Sequence, residues 1–289
     1  MRFYDLICKI NDEKSFKDII LEWYYNSTGN SPEKFEKYCK FLLEEIFLSY
    51  EKNKDKKNKS LAGWVGENAQ LMKFHKALFL SEVVKFAIEV SLTVSEANAS
   101  MGKIVACPTA GACGVIPGVV ISLNKINKID KKTLIDSFIV SSALGEFIKR
   151  EASISGAVGG CQAEIGTAAA MGSIIIAYTY RPKNKNIILS APALTLKSMM
   201  GLVCDPVGGY VEIPCVKRNA IAVSTAFTSA EMALAGIESK IPLDEVIIAM
   251  GQVGRSMSEE LRETGKGGIA ASKTALKMIS SFKDVDNNK

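Results

Sequence analysis

Cys161, Cys204 and Cys215 are each set among glycine and proline: Gly159-Gly160-Cys161-Gln162, Val203-Cys204-Asp205-Pro206-Val207-Gly208-Gly209 and Ile213-Pro214-Cys215-Val216. They stand 43 and then 11 positions apart. Glycine admits positive φ and proline stiffens an approach, so loops of this composition can bring distant sulfurs to one point. Three thiolates around a point suit a metal ion, or an iron–sulfur cluster with one corner free of protein sulfur. The spacing alone leaves a second reading open. There is no C-x-x-C pair, structural zinc usually takes four ligands, and buried cysteines also pack as small hydrophobes.

A second stretch could hold an anion. Pro108-Thr109-Ala110-Gly111-Ala112-Cys113-Gly114 is a small-residue turn running into the apolar segment Val115–Leu123. Such a turn aims backbone N–H groups at one spot, and the start of the following helix favours negative charge. No Gly-Lys-Ser/Thr follows, so it is not a nucleotide phosphate loop. A carboxylate suits it better; a plain tight turn is the other reading. Arg150 to Gly156 is polar and either lines a site or caps helix ends. Cys107 and Cys113 are given no ligand role. His75, the only histidine, is either a general base or a satisfied core or boundary residue on an apolar helix face.

The segments NASMGKIVACPTAGACGVIPGVV, GGCQAEIGTAAAMGS, GLVCDPVGGYVEIPCVKRNAIA and ETGKGGIA resemble the α chain of the iron–sulfur-dependent L-serine dehydratases, over residues 61–279 or so. The resemblance implies a [4Fe–4S] cluster on Cys161, Cys204 and Cys215. It implies conversion of L-serine to pyruvate and ammonia, a step of amino-acid catabolism that feeds gluconeogenesis, by an oxygen-sensitive lyase. The open iron would act as a Lewis acid on the serine hydroxyl. The substrate carboxylate is expected on Thr109, Gly111 and Ala112. Arg218 and Asn219 are further polar contacts, or simply a helix start. Lys266, in Thr264-Gly265-Lys266-Gly267-Gly268, either covers the site or is a surface lysine.

The chain departs from the single-chain members in two respects. They carry a Ser-Ser-Ser-His motif in a second domain, and some end in a cysteine; neither feature occurs here, where the sequence finishes Asn287-Asn288-Lys289. A separate β chain is therefore expected, forming a heterodimer and supplying the catalytic base. Two other functions stay open: a related cluster lyase acting on cysteine or threonine, and a non-catalytic iron–sulfur regulatory subunit.

Composition limits the alternatives. The 289 residues are 47% hydrophobic, enough for one large domain or two small ones. The net charge of +5 owes much to Glu51–Ser60, EKNKDKKNKS. A lysine run without an arginine-rich groove or aromatic ladder reads as a solvated linker rather than a nucleic-acid surface. The chain opens without a secretory signal pattern. The uncharged stretch from Ile165 to Tyr180 falls short of the roughly 20 apolar residues of a membrane span. Seven cysteines, an odd number, suit reduced thiols in a cytoplasm.

Hydrophobic periodicity gives the elements that must position these residues. A modest helical signal covers Phe3–Tyr25. Ser31-Pro32-Glu33 starts a helix whose stripe is Phe35, Tyr38, Cys39, Leu42, Leu43, Ile46 and Phe47. One helix is expected over Leu71–Val90, with Leu71, Phe74, Leu78, Phe79, Val83 and Val90 on its apolar face. Others are expected over Lys131–Lys149, Ile165–Tyr180, Asn219–Gly236, Ile241–Leu261 and Ile269–Ile279, with a polar tail from Asp284. No hairpin pattern occurs. The expected fold is all-α: a cluster-binding catalytic domain over 61–289, with irregular loops holding the cluster, preceded by a helical segment and Lys-rich linker over 1–60.

Overall fold

The computed structural model describes residues 2–11 and 13–286, the side chains of 283–286 excepted. Among them every regular element is a helix; the only bridges are two isolated ones, Lys59 with Gly66 and Cys204 with Arg262. The modest N-terminal signal resolves into α1 (Phe3–Ile7) and α2 (Phe16–Thr28). A turn parts them, in which Asn11 Oδ1 accepts from the amides of Glu13 and Lys14 at 2.9 and 2.7 Å. α2 opens on a capping box: Ser15 Oγ accepts from Asp18 N at 3.2 Å, and the Asp18 carboxylate takes Ser15 N at 3.3 Å.

Pro32 begins α3 (Pro32–Asn53), and Ser31 Oγ accepts from Lys34 N at 3.4 Å. Cys39, Leu43 and Ile46 of the expected stripe are buried, whereas Tyr38 is exposed. The helix runs three residues into the expected lysine linker. α1 to α3 pack on α12, α7 and α5 (ranges below), and their side chains join the main apolar core.

The single helix expected over Leu71–Val90 is two: α4 (Asn68–Phe74) and α5 (Glu82–Ala99). His75 leaves the helix with extended backbone (φ −70°, ψ 131°), and Ser81 starts the next. The physical reason lies at the start of α4. There the buried Glu96 carboxylate accepts from Asn68 N at 2.7 Å and Asn68 Nδ2 at 2.6 Å. This capping docks α4 on α5 through small Ala69 and half-buried Met72. Leu71, Phe74, Leu78 and Phe79 are thereby left 71, 81, 74 and 95% exposed. His75 is exposed too, rather than a core or boundary residue.

The rest of the chain surrounds one buried helix. α6 (Val115–Lys125), α7 (Lys131–Ala152), a single turn α8 (Gly156–Gly159), α9 (Thr167–Tyr180), α10 (Lys185–Met199), α11 (Cys215–Leu234), α12 (Leu243–Ser256) and α13 (Lys273–Asp286) follow in order. α9 touches α6, α7, α10 and α11, and every residue from Thr167 to Tyr178 is buried. A helix apolar all round belongs in a core, and its Ala and Gly content lets its neighbours come close: a Cβ on Gly172 would lie 3.1 Å from Val119 and 3.2 Å from Ala226. α10 has no counterpart in the sequence reading, and Pro192 lies inside it. α13 is displaced towards the C-terminus of the helix expected over Ile269–Ile279. Residues 287–289 of the expected tail lie outside the described residues. No helix of the described residues is long and apolar enough to cross a membrane.

Candidate active site

Cys161 is placed by a break in the helical run. After α8, Gly160 takes φ +73°, and a Cβ there would come 2.6 Å from Met257 Sδ and 2.9 Å from Leu202 O, so only glycine fits. The chain then makes a widened π turn, Gln162–Gly166, before α9 begins. Such turns are rare and frequent at functional sites. Buried Gln162 fixes this one from both sides: its amide donates to Leu202 O (2.9 Å), its Nε2 donates to Met250 O (3.0 Å), and its Oε1 accepts from Gly201 N (2.8 Å).

Cys204 is held by a partner far along the chain. Its N–H donates to Leu261 O at 2.9 Å, and its carbonyl accepts from Glu263 N at 2.7 Å. The buried Asp205 carboxylate accepts from Ile269 N and Arg218 Nη2, both at 2.8 Å. Cys215 is the first residue of α11. Three residues before it, buried Glu212 accepts from Ser60 Oγ (2.6 Å), Ala62 N (2.7 Å) and Trp64 N (3.2 Å).

These loops bring the three thiols into one electrostatic environment. The Cys204 side chain, and against burial the Arg218 guanidinium, hold the Cys161 thiol below its ordinary pKa. Cys161 in turn pushes Cys204 up, with burial acting in the same direction. Burial, and next the charge on Cys161, push Cys215 up to about 12. The Glu164 carboxyl acts on all three sulfurs. Buried sulfurs sharing protons beside a guanidinium are a donor set suited to a group that binds thiolates.

Glu164 and Glu263 were missed at the sequence level, and the structure brings both to the cysteines. A Glu164 oxygen, a Glu263 oxygen and Cys204 Sγ lie within 4.8 Å of one another. Burial raises the Glu164 carboxyl, the Thr109 hydroxyl lowers it, and Glu263 raises it. The only hint in the sequence was the presence of an acid in each of two otherwise small-residue motifs, GGCQAEIG and ETGKGG.

The Pro108–Gly114 turn faces the same place. A Cβ on Gly111 would stand 3.3 Å from Glu164 Oε2. Thr109 Oγ1 is buried and near enough to influence that carboxyl, yet no group completes a well-aligned hydrogen bond to it. The Ala112 amide donates back to Thr109 O at 3.3 Å. Buried Asn219 ties the turn to α11: its Nδ2 donates to Gly111 O (2.8 Å) and Cys215 O (3.0 Å), and its Oδ1 accepts from Gly114 N (2.9 Å). Arg218 donates to Val203 O (2.9 Å) and to Asp205, so it braces the Cys204 loop beside Cys161. Lys266 is not brought in; it is exposed and pairs with Glu259 at 2.9 Å. His75 closes α4 at the surface.

The family described as serine dehydratase alpha chain matches residues 7–270. The "L-serine dehydratase, alpha chain" of Peptoniphilus asaccharolyticus is 37% identical over 282 residues, 96% of each chain. The "probable L-serine dehydratase, alpha chain" of Latilactobacillus sakei is 44% identical over 210 residues, 72% of this chain and 100% of that relative. "L-serine dehydratase 2" of Escherichia coli (strain K12) is 40% identical over 190 residues, 65% of this chain but 42% of the relative. The match spans every loop that carries one of the three cysteines, and this chain belongs to the serine dehydratase alpha chain family.

Proposed function

We propose that this chain is the catalytic subunit of an L-serine ammonia-lyase, which acts with a β chain to form pyruvate and ammonia. The observation that carries the proposal is that Cys161, buried, acts on both Cys204 and half-buried Cys215, while the Glu164 carboxyl, beside the Pro108–Gly114 turn, acts on all three. Cys161, Cys204 and Cys215 would hold a [4Fe–4S] cluster. When bound, the cluster would supply a Lewis acid for the departing hydroxyl.

The remaining work falls to the polypeptide. The Thr109 hydroxyl and the Gly111 backbone suit the substrate carboxylate, and Asn219 keeps that turn fixed against α11. Arg218 balances negative charge at Cys161 while bracing the Cys204 loop. α9, α11 and α12 back the site with buried side chains, which keeps water from reaching it from behind. Loss of the Cα proton and the hydroxyl leaves an enamine, which water hydrolyses to pyruvate and ammonia. The base for that proton is assigned to the second chain, because the one histidine here is at the surface.

The test is anaerobic reconstitution of the chain with iron, sulfide and a β chain, followed by an assay for pyruvate from L-serine. Pyruvate formation supports the reading. Turnover of L-cysteine or L-threonine alone would reassign the substrate. An intact cluster that fails to bind any of the three would overturn the enzymatic assignment.

A further inference from the structure

We propose that Glu164, with Glu263 beside it, receives the α-ammonium of the substrate; the assignment rests on the reading of this site as one for a small amino acid. A carboxylate taken out of water is unfavourable unless it is paired. Glu164 is largely withdrawn from solvent on the π turn, and a second carboxylate faces it. Among the described residues neither Glu164 nor Glu263 forms an ion pair. The nearby Arg218 is already engaged by Asp205, Val203 O and Cys161. With Arg218 so engaged, no cation of the described residues is paired with the charge these two carboxyls can carry.

The space in front of that charge is kept open by two glycines from different loops. A Cβ on Gly156 would fall 3.0 Å from Glu164 Oε2, 3.1 Å from Glu263 Oε2 and 2.9 Å from Cys204 Sγ; a Cβ on Gly111 would fall 3.3 Å from Glu164 Oε2. Neither glycine has a positive φ, so their backbone conformations do not call for glycine; a side chain at either would crowd the carboxyls. Thr109 Oγ1, buried on the same side, acts on Glu164 without completing a well-aligned hydrogen bond to it.

An ammonium offers three N–H donors and no acceptor. The two carboxylates hold four acceptor oxygens, enough for those donors, and leave the Thr109 hydroxyl to the substrate carboxylate. A hard divalent cation is served less well, since it seeks about six oxygens and would find two carboxylates and a thiol already placed among the three cysteines. The consequence is selectivity: the site should discriminate between L-serine and L-glycerate, which carries a hydroxyl where serine carries its ammonium.

The experiment measures binding of L-serine and of L-glycerate to the reconstituted two-chain enzyme by anaerobic calorimetry, with iron content determined on each sample. Glu164→Gln should weaken L-serine by roughly 10- to 150-fold, the range for a hydrogen bond to a charged group, and leave L-glycerate and iron content unchanged. Glu263→Gln, at an exposed position where misfolding is not at issue, should show a smaller loss with the same selectivity. Equal weakening of both ligands in the two variants, or undiminished L-serine affinity in both, overturns the ammonium assignment alone. A wild-type enzyme with iron bound but no affinity for L-serine overturns the substrate reading and this assignment with it.

Discussion

At the scale of single residues, the seven cysteines divide by environment. Burial pushes Cys39, Cys107 and Cys113 up to about 12, as expected of inert thiols packed in a core. Cys161 alone is drawn down, by Cys204 and Arg218. Cys215 is pushed up as far as Cys39, Cys107 and Cys113, so proximity to Cys161 and not its own pKa sets it apart. On the proposed ligand set, replacing Cys161, Cys204 or Cys215 with Ala is expected to abolish cluster assembly, while Cys39→Ala leaves it intact. Iron and sulfide content with the visible charge-transfer spectrum, measured anaerobically, reads this directly; normal iron in Cys204→Ala would remove that residue from the ligand set. Glycine and proline flank Cys161, Cys204 and Cys215, but they flank Cys107 and Cys113 as well; what singled out the three was the resemblance to the dehydratase α chains. Glu164 and Glu263 were not legible, because an acid in sequence looks like any solvated acid. What turns Glu164 inward is the π turn, and what delivers Glu263 is the backbone pairing of Cys204 with the 261–263 segment. Neither leaves a local signal.

At the scale of elements, α3 was legible from its stripe and its Ser31-Pro32 start, and α7 from its period alone, its cap, Asp130 accepting from Thr133 N at 3.0 Å, having gone unread. The reading failed at α4 and α5, where the apolar period continued through a break that only the long-range Glu96 cap accounts for. It also passed over α10, whose interior proline mimics a loop. The turn before Cys215 depends on a contact of the same long-range kind. Glu212 satisfies two backbone amides and a hydroxyl from residues 60–64. Ser60 Oγ in turn accepts from Val65 N at 3.0 Å. Glu212→Ala leaves those three donors without their acceptor, a loss of roughly 3–9 kcal/mol at about 1–3 kcal/mol for each unsatisfied buried group, and nearer the lower figure because two of the three are only part-buried. Urea unfolding of the isolated chain should show that loss, and hydrogen exchange should show Ala62 and Trp64 opening first. A midpoint unchanged from wild type would mean that the 60–64 turn is held by other contacts.

At the scale of the whole molecule, the question is where the base for the Cα proton resides. General acid–base assistance is worth roughly 10²- to 10⁴-fold, and histidine is its commonest agent. This chain offers only His75, in an exposed apolar stretch between α4 and α5. The relatives named as alpha chains match this chain over most of its length, whereas Escherichia coli L-serine dehydratase 2 extends well beyond it, with 42% of its length matched. The name alpha chain implies a partner chain, and the base is proposed to lie there. The chain reconstituted alone should bind its cluster and most of the substrate, yet form pyruvate at a rate lower than the two-chain enzyme by at least roughly 10²-fold. His75→Ala in the two-chain enzyme should lose far less than that. Size-exclusion chromatography must accompany the assay, because His75 neighbours Phe74, Leu78 and Phe79, whose exposure gives a partner an apolar surface to cover. Full turnover by the single chain would place the base here, as would a collapse of activity in a His75→Ala enzyme that still assembles.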